Sequence, residues 1–256
     1  MENTNLLEVE GLSKTYETLS GEKVRALNNI SFSLNEGDFL TVVGPSGSGK
    51  STLLQILAGI EPSTSGSLRY PRYGKAPRIG FVFQTNTVFP WRTVERNLTY
   101  PLELRKIDRA TRKRKAVELC HMVGLDWAVF HGKYPKELSG GEKRRVAIGM
   151  ALAREAQLLL LDEPTSQLDY LTKWSMQNVI RELACKANLT AVLVTHDLDE
   201  AILLGDRVLI LEQGATRALL NIDLPYPRRQ SLFGSLEFNA YREQIINYHG
   251  LKVDND

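Results

Sequence analysis

The sequence predicts an α/β fold whose core is a parallel sheet covered by helices on both faces. The prediction rests on short, near-continuous apolar runs that alternate with helical stretches, because strands buried on both faces have that composition. These runs are "FLTVV" (39–43), "RIGFVF" (78–83), "LLLLD" (158–162), "TAVLVTH" (190–196) and "DRVLIL" (206–211). Two further observations, an antiparallel β pattern at the front and a gap in the β pattern near the middle, complete the architecture.

The first part of the chain differs from this core. Three segments combine short β-type patterns with Gly and Asn turns, which is typical of antiparallel strands. They are "LLEVEGLSKTY" (6–16), "VRALNNISFSL" (24–34) and "GSLRY" (66–70). We therefore predict an N-terminal antiparallel β subdomain ahead of the parallel sheet.

The β pattern disappears between about residues 86 and 155. Polar, Lys/Arg-rich helical sequence takes its place, and the sheet pattern resumes at "LLLLD". An inserted all-helical subdomain is the simplest interpretation. Residues 1–220 are thus expected to form one module. Residues 221–256 are expected to form a short C-terminal extension, irregular until a short helix in "LEFNAYREQIINYHG" (236–250).

The composition narrows the function classes. The formal net charge of +2 over 256 residues does not favour bulk electrostatic binding to nucleic acid. A secretory signal pattern and an apolar run of membrane-spanning length are both absent from the sequence, so a soluble cytosolic chain is expected. Cys120 and Cys185 fit no metal or redox spacing and are expected to be reduced, buried thiols. The charged run at 105–120 is interpreted as a solvated helix face, with contact to lipid headgroups as the alternative.

The stretch "GPSGSGKS" (44–51), here called the phosphate loop, matches the pattern G-x-x-x-x-G-K-[ST] in full and lies between a predicted strand and a predicted helix. In such a loop the backbone curls around phosphates, Lys50 reaches the β- and γ-phosphates, and the Ser51 hydroxyl is offered to Mg²⁺. The alternative, a Gly-rich turn that binds nothing, does not explain the strand–loop–helix context. The predicted nucleotide-binding residues are Gly44, Pro45, Ser46, Gly47, Ser48, Gly49, Lys50, Ser51 and Thr52. The fold is accordingly predicted to be a P-loop NTPase.

Two carboxylates follow the buried run "LLLLD". The strand position predicts that Asp162 and Glu163 lie at the carboxyl edge of the sheet, the edge that also carries the phosphate loop. One carboxylate can then hold Mg²⁺ while the next orients or deprotonates the attacking water. An Asp-Glu pair after leucines is a weak signal alone, and the phosphate loop makes it a strong one.

The stretch "LSGGE" (138–142), here called the signature loop, is a second candidate for phosphate binding. Ser139 and Glu142 have the S-x-x-E spacing of a capping box, so an ordinary helix start is the alternative. Gly140 and Gly141 weaken a first helical turn by up to about 1 kcal/mol each, which favours a backbone that something approaches closely. Free N–H groups at a helix start bind phosphate.

The order of these motifs carries a family resemblance. "LSGGE" followed by "KRRVAIGMALA" (143–153) and "LLLLDEPTSQLD" (158–169) resembles the signature region of the ATP-binding cassette (ABC) ATPases, and the likeness runs through residues 5–215. It implies a RecA-like parallel-sheet core. It also implies that the signature loop of one chain closes over the γ-phosphate held by the phosphate loop of another. Ser139, Gly140, Gly141 and Glu142 would then contact ATP across a pair of chains.

The resemblance assigns roles to four more residues. Tyr16 matches the aromatic residue that stacks on adenine, although a half-buried strand tyrosine is the alternative. Gln84 matches the glutamine that senses Mg²⁺, so the metal would be held by Ser51, Gln84 and Asp162. Asp169 matches the residue at the subunit boundary, and His196 matches the histidine that contacts the γ-phosphate. The implied catalytic residues are Glu163, His196 and Gln84.

Two positions depart from the family pattern. Glu142 stands where the family usually has Gln, and the capping-box role makes that exchange compatible with nucleotide binding. Gln167 stands where Ala is usual, which is expected to alter communication between the two sites without removing either.

The segment "FPWRTVERN" (89–97) resembles the place where importer ATPases contact their membrane partner. Phe89, Pro90 and Trp91 are too apolar for a loop that contacts nothing; packing under the insert is the alternative. "FPWRTV" and "LPYPRR" (224–229) are similar to ATPases of nitrate, sulfonate and taurine uptake systems. The implied partners are a second ABC ATPase chain, identical or different, permease subunits through the region from Gln84 to Asn97, and a solute-binding protein through the permease, with no nucleic acid.

The resulting hypothesis is a subunit that binds and hydrolyses ATP, with Mg²⁺, to power transport through a membrane ABC transporter, as a peripheral protein on the cytoplasmic face of the membrane. The alternative is a soluble ABC ATPase that acts on nucleic acid or ribosomes. Such proteins usually have two cassettes in one chain or long coiled-coil arms, and this sequence has neither.

Overall fold

The structure is a computed structural model that describes residues 5–85, 87–187 and 189–248. Its strands are β1 (Asn5–Glu17), β2 (Lys23–Asn35), β3 (Phe39–Val43), β4 (Ser65–Arg69), β5 (Ile79–Val82), β6 (Leu158–Asp162), β7 (Thr190–Val194), β8 (Arg207–Glu212) and β9 (Ala215–Asn221). Its helices are α1 (Lys50–Leu57), α2 (Val94–Leu104), α3 (Arg109–Met122), α4 (Trp127–Phe130), α5 (Gly140–Leu152), α6 (Tyr170–Ala187), α7 (Leu198–Leu204) and α8 (Leu236–Tyr248). These elements fall into two compact units: one combines the chain up to Ala76 with the chain from Thr190 onwards, and the other runs from Pro77 to Leu189.

The first unit contains the predicted antiparallel β subdomain. Its strands follow the order β2-β1-β4, and Val9 of β1 lies opposite Phe32 of β2 and Leu68 of β4. Alternate side chains of β1 and β2 are buried, as expected for a sheet with one face on the core. The two strands are joined by a turn that includes residues 19 and 20.

The first unit also contains the strands that flank the phosphate loop. β3 pairs in parallel with β7 on one side and β8 on the other, and every residue of β3 and β7 is buried. This burial on both faces explains the near-continuous apolar sequence of the two strands. The edge of the unit was not predicted: β9 pairs antiparallel with β8 through the two-residue turn Gln213–Gly214. Both turn residues have positive φ, of 49° and 76°, which is the backbone of a tight hairpin.

The C-terminal part of the chain packs onto the same unit. Phe238 and Ile245 of α8 are fully buried in a cluster with Ile202 of α7 and with Ile210 and Leu220 of the β8–β9 hairpin. The predicted helix at 236–250 is therefore present over its described residues, and it covers core rather than standing apart. Residues 249 and 250 lie outside the described part of the chain.

The second unit holds the predicted helical insert together with two strands. β5 and β6 pair in parallel, with Ile79 opposite Leu158. Helices α2 and α3 begin at side-chain caps, since the Thr93 hydroxyl accepts from the N–H of Arg96 and the Asp108 carboxylate accepts from the N–H of Thr111. The four helices from α2 to α5 lie within the range predicted for the insert, and residue 86 of that range is not described.

The expectation for the two cysteines was half wrong. Both are free thiols, but only Cys120 is buried, whereas Cys185 is exposed on α6. Burial, assisted by the charge of Asp126, raises the pKa of the Cys120 thiol to about 11. Cys185 is exposed because α6 is amphipathic and presents that position to solvent.

In the part of the chain that the structure describes, no helix combines the length and the apolar character needed to cross a membrane.

Candidate functional site

The phosphate loop connects β3 to α1 in the first unit, as the sequence predicts. Pro45, Ser46 and Gly47 are exposed, and Lys50 is buried at the first position of α1. The Lys50 ammonium donates hydrogen bonds to the carbonyl oxygens of Gly44 and Pro45, at 2.7 and 2.8 Å. The backbone of the loop is thus folded around the Lys50 side chain, and the ammonium lies against the first two carbonyl groups of the loop.

Three features of the loop fit a nucleotide phosphate. Gly47 has φ of +78° with open space where a side chain would be, so its backbone is accessible to a ligand. The Ser48 hydroxyl is buried without a hydrogen-bond partner among the described residues. Ser51, which is exposed, and Thr52 follow in the first turn of α1, whose N-terminus favours anions. A triphosphate would supply acceptors for these donors.

Two other predicted residues lie in the same unit. Tyr16 is half-buried near the end of β1, and the Lys14 ammonium lies 4.8 Å from its ring centroid. His196 is exposed just after β7, two residues before α7 begins. The strand itself ends at Val194, shorter than predicted, so His196 lies in the connection between β7 and α7 rather than in the strand.

The predicted carboxylates and Gln84 lie in the second unit. Asp162 is buried at the end of β6, and Glu163 follows it half-buried. The Gln84 side-chain amide donates to the Glu163 carboxylate, with 3.1 Å between Nε2 and Oε2. Glu163 has φ of +45°, a left-handed conformation that non-glycine residues adopt rarely. The structure therefore brings Gln84 and Glu163 together at the end of this strand pair.

The signature loop forms the start of α5 in the second unit. Ser139 and Glu142 form the capping box: the Ser139 hydroxyl accepts from the N–H of Glu142 at 3.2 Å, and the Glu142 carboxylate accepts from the N–H of Ser139 at 2.7 Å. The capping box, which was the alternative interpretation of this sequence, is thus present. It does not account for Gly140, which is exposed with nothing within 4 Å of a Cβ built on it, whereas a Cβ on Gly141 would meet Thr172 at 2.5 Å.

One residue of this region, Arg144 on α5, was not predicted from the sequence. Its guanidinium donates to the carbonyl oxygens of Phe83 and Gln84, the latter at 2.6 Å. Arg144 is buried, and burial lowers its pKa while the charge of Asp162 opposes that shift. The helix that starts at the signature loop is therefore tied to the backbone that carries Gln84. The sequence around it, "EKRRV", is that of an ordinary charged helix surface, so no local signal marks Arg144.

The residues after β6 form a turn that leads into α6. Gln167 has φ of +64°, and Asp169 is exposed at the start of the helix. The Asp169 carboxylate accepts from the N–H of Thr172 at 3.1 Å, and hydrogen bonds from Thr172 hold the pKa of Asp169 below its usual range. Asp169 is thus an ionised helix cap that faces solvent.

The segment predicted to contact a membrane partner has an exposed aromatic group beside a cationic cavity. Trp91 is 69 % exposed, and its ring lies 5.6 Å from that of Phe89, which packs edge-on against Tyr100. Trp91 is also at the edge of a cavity of about 710 Å³ between α2 and α3. The charged residues lining this cavity are Arg92, Arg96, Arg109, Arg112, Lys113, Glu95 and Glu103.

Within this cavity Glu103 is already paired. Its carboxylate accepts from Arg92 at 2.9 Å and from Arg112 at 3.0 Å. The cavity therefore keeps an excess of positive charge, and the Arg112 Nε is buried without a hydrogen-bond partner among the described residues. A surface with these properties suits a partner that carries carboxylates.

Comparison with known proteins assigns the family. The ABC transporter family model matches residues 27–166. The chain is 40 % identical over 232 residues to the aliphatic sulfonates import ATP-binding protein of Bacillus subtilis, covering 89 % of this chain and 88 % of that protein. It is 37 % identical over 253 residues to the nitrate transport protein NasD of Klebsiella oxytoca, covering 95 % of each. The resemblance to nitrate and sulfonate uptake ATPases is confirmed by these relatives.

A solved structure supports the same assignment. The dimeric post-hydrolysis state of an ATP-binding cassette bound to ADP and Pi is similar to this chain with a TM-score of 0.77 and 30 % identity. The match covers 86 % of this chain and all of that one. The predicted P-loop NTPase fold is confirmed. With the family model, the relatives and the fold in agreement, the chain belongs to the ABC transporter family as an ATP-binding subunit, an ATPase that powers transport.

Proposed function

We propose that this chain is the ATPase of an importer for small oxyanions of the sulfonate or nitrate class, and that it works as one of two cassettes on a membrane permease at the cytoplasmic face. The observation that carries the proposal is the 40 % and 37 % identity, over nearly the whole chain, to a sulfonate import protein and a nitrate transport protein. The alternative hypothesis, a soluble ATPase that acts on nucleic acid or ribosomes, finds no support in these relatives.

The proposed ATP site is built from the motif residues of the sequence. Tyr16 would stack on the adenine, and the phosphate loop from Gly44 to Thr52 would bind the phosphates through its N–H groups and Lys50. Glu163 would accept the proton of the attacking water, with Gln84 holding its carboxylate in place, as their 3.1 Å contact in this structure supports. His196 would contact the γ-phosphate.

The metal of this site would be Mg²⁺, held by Ser51, Gln84 and Asp162. The three side chains offer hydroxyl, amide and carboxylate oxygens, the donors that Mg²⁺ prefers in nucleotide sites. When bound, Mg²⁺ neutralises charge on the phosphates during transfer. Asp162 contributes the single negative charge of the set and is buried at the end of its strand.

The proposed second cassette would contribute its signature loop. Ser139, Gly140, Gly141 and Glu142 start an α-helix, and the free N–H groups of such a start favour phosphate. Open space around Gly140 supports close approach by another chain. Asp169 would lie at the same boundary. ATP would draw the two chains together because it binds both, and hydrolysis would release them.

The proposed permease contact is the region from Gln84 to Asn97. Trp91 supports it, because large exposed aromatic groups anchor protein interfaces, and the cationic cavity beside Trp91 adds charge complementarity to an acidic partner. Arg144 would connect this contact to ATP, since it binds the backbone of Gln84 from the helix of the signature loop. A solute-binding protein would act through the permease.

The test is recovery of the tagged full-length chain from its native host in mild detergent, with mass spectrometry of the co-purifying proteins. A polytopic membrane protein at stoichiometric yield is expected. Deletion of the gene should then abolish growth on an aliphatic sulfonate or on nitrate as the only sulfur or nitrogen source. Recovery of ribosomal or DNA-bound partners would overturn the transport role, and normal growth on both anions would overturn the solute class.

A further inference from the structure

The C-terminal extension holds α7 at its end. Arg228 is buried, and its guanidinium donates to the carbonyl oxygens of Ile202 at 2.7 Å and Gly205 at 2.5 Å, where α7 ends. The same group donates to the carbonyls of Ile222 and Leu224, at 2.7 and 3.2 Å. A positive charge at the C-terminus of a helix is favourable, and four acceptors satisfy this buried cation. The last carbonyls of α7 are thus bound by a residue of the extension.

The extension also holds α7 at its beginning. Arg242 of α8 donates from Nε to the Asp199 Oδ1 at 2.8 Å, and its terminal nitrogen contacts both oxygens of that carboxylate. Asp199 lies in the first turn of α7. The pKa of Arg242 is raised by this hydrogen bond, and the negative charges of Asp199 and Asp197 add to the shift. The two-pronged geometry fixes the orientation of the pair as well as its distance.

His196 lies directly before this helix start. On one side, the N–H of Thr195 donates to the carbonyl of Val42 in the neighbouring strand at 3.1 Å. On the other side, the Asp197 carboxylate caps α7 by accepting from the N–H of Glu200 at 2.9 Å. His196 itself is exposed. The Thr195 hydroxyl also accepts from the N–H of Asp197 at 3.0 Å, so the backbone on the two sides of His196 is tied to β7 and to the start of α7.

We propose that Arg242 is a positioning residue for ATP hydrolysis: through Asp199 it fixes the first turn of α7 and thereby the place of His196. The inference rests on the proposed role of His196. It makes the C-terminal extension part of the device that sets turnover, because α8 bears Arg242 and packs Phe238 against the core next to α7. Loss of the pair should allow the first turn of α7, and His196 with it, to shift.

The test is a double-mutant comparison of ATP hydrolysis by the full-length chain recovered with its native partners. Arg242→Met should lower kcat by about tenfold and leave the KM for ATP within about twofold, because a misplacement of about 1 Å costs up to about a hundredfold in rate. On a His196→Ala background the same substitution should lower kcat no further. Arg217→Met is the matched control, since Arg217 forms an exposed ion pair with Glu212 in the same unit.

The outcomes are distinguishable. A normal kcat in Arg242→Met, or an equal loss on both backgrounds, would overturn the inference, because Arg242 would then not act through His196. A normal kcat in His196→Ala would instead overturn the proposed role of the histidine itself, and the inference with it. If Arg242→Met fails to fold, Asp199→Asn breaks the same pair from α7 and should give the same kcat loss. Arg242→Lys, which keeps a positive charge opposite native Asp199, should lose less of the kcat than Arg242→Met.

Discussion

Arg144 donates a hydrogen bond to the carbonyl oxygen of Gln84 at 2.6 Å, although 60 positions separate the two residues in the sequence. We expect Arg144→Lys to lower ATP turnover by about tenfold. A lysine ammonium cannot bind the carbonyl oxygens of Phe83 and Gln84 with the forked geometry of a guanidinium, and a small displacement of a catalytic group costs at least that much in rate. Steady-state ATPase assays measure this. The control is Arg145→Lys, because the Arg145 guanidinium donates to Val123 and Ser175 instead. Equal activity of both variants would contradict the coupling.

Glu163→Gln should keep ATP binding and lower turnover by roughly 10²–10⁴-fold, as expected for the loss of a general base. Glutamine keeps the size of the side chain but does not accept a proton. Single-turnover hydrolysis and nucleotide-binding titrations separate the two effects. Glu142→Gln is a matched exchange that preserves the capping box and should retain activity. Near-normal turnover in Glu163→Gln would remove Glu163 from the proposed chemistry.

The two glycines of the signature loop should respond differently to alanine. Gly140→Ala should leave the melting temperature of the isolated chain unchanged or slightly higher, because space is open and alanine is the better helix former by up to about 1 kcal/mol. It should nevertheless lower ATP turnover, since the methyl group occupies the proposed approach of the second chain. Gly141→Ala should destabilise the fold itself, because its Cβ would meet Thr172 at 2.5 Å.

The companion substitution Thr172→Ser removes the methyl group that Gly141→Ala would meet, so it should restore the melting temperature of that variant. Thermal unfolding and ATPase rates are measured on the same samples. Full activity of Gly140→Ala would argue that nothing approaches this face of the helix.

Trp91→Ala should weaken the association with the permease without affecting ATP binding or stability. Trp91 is 69 % exposed, so its truncation removes little packing within the chain. Loss of an interface anchor typically costs about 2 kcal/mol or more, which corresponds to about a thirtyfold lower affinity. Co-purification from the native host measures the effect. Leu104→Ala, a change at a residue that is 67 % exposed on α2, is the control; equal yields of permease with both variants would place the contact elsewhere.

The cysteines should differ in reactivity, and one of them should make stability depend on pH. At neutral pH an alkylating reagent should label Cys185, which is exposed, and spare the buried Cys120. The pKa of Cys120 is raised from its ordinary value of 9.0 to about 11, so the fold favours the protonated thiol. Its contribution to the free energy of unfolding is therefore fully present below pH 9.0 and is lost as pH rises towards about 11.

Urea denaturation across this pH range, with Cys120→Ala as the reference, measures that loss. Parallel curves for the two proteins would show that the pKa of the Cys120 thiol is the same in the folded and the unfolded protein. Labelling of Cys120 as fast as Cys185 at neutral pH would contradict its burial.

The buried strands could be predicted from sequence because burial on both faces leaves a continuous apolar run. β3 and β6 match the predicted segments, and β8 begins one residue after its predicted start. β9 escaped prediction because three of its seven residues are only half-buried and three are exposed, so its apolar signal is weak. The local sequence signal for the β8–β9 hairpin was Gly214 after an apolar run. That signal was weak because Gln213, the first residue of the turn, is not typical of such hairpins.

The motif residues of the candidate site could be found because their spacing is local. The residues that place them could not, since Arg144 and Arg242 act on segments about 60 and 43 positions away. Their sequence neighbourhoods, "EKRRV" and "AYREQ", read as ordinary charged helix surface. Only the fold reveals which arginine is turned towards a carbonyl or a carboxylate that it must satisfy.

The surroundings of Gly44 bear on how relatives that no longer bind nucleotide could be recognised. A Cβ at this position would lie 2.2 Å from the carbonyl oxygen of Leu211 in β8, so the fold alone excludes any larger residue. A descendant that had lost all use for nucleotide would still be under pressure to keep this glycine. Lys50, by contrast, makes its hydrogen bonds within the phosphate loop itself, to the carbonyl oxygens of Gly44 and Pro45, and none of these bonds is to β8. In surveys of cassettes suspected to be inactive, the lysine is therefore the informative position, and the first glycine of the motif says only that the sheet is intact.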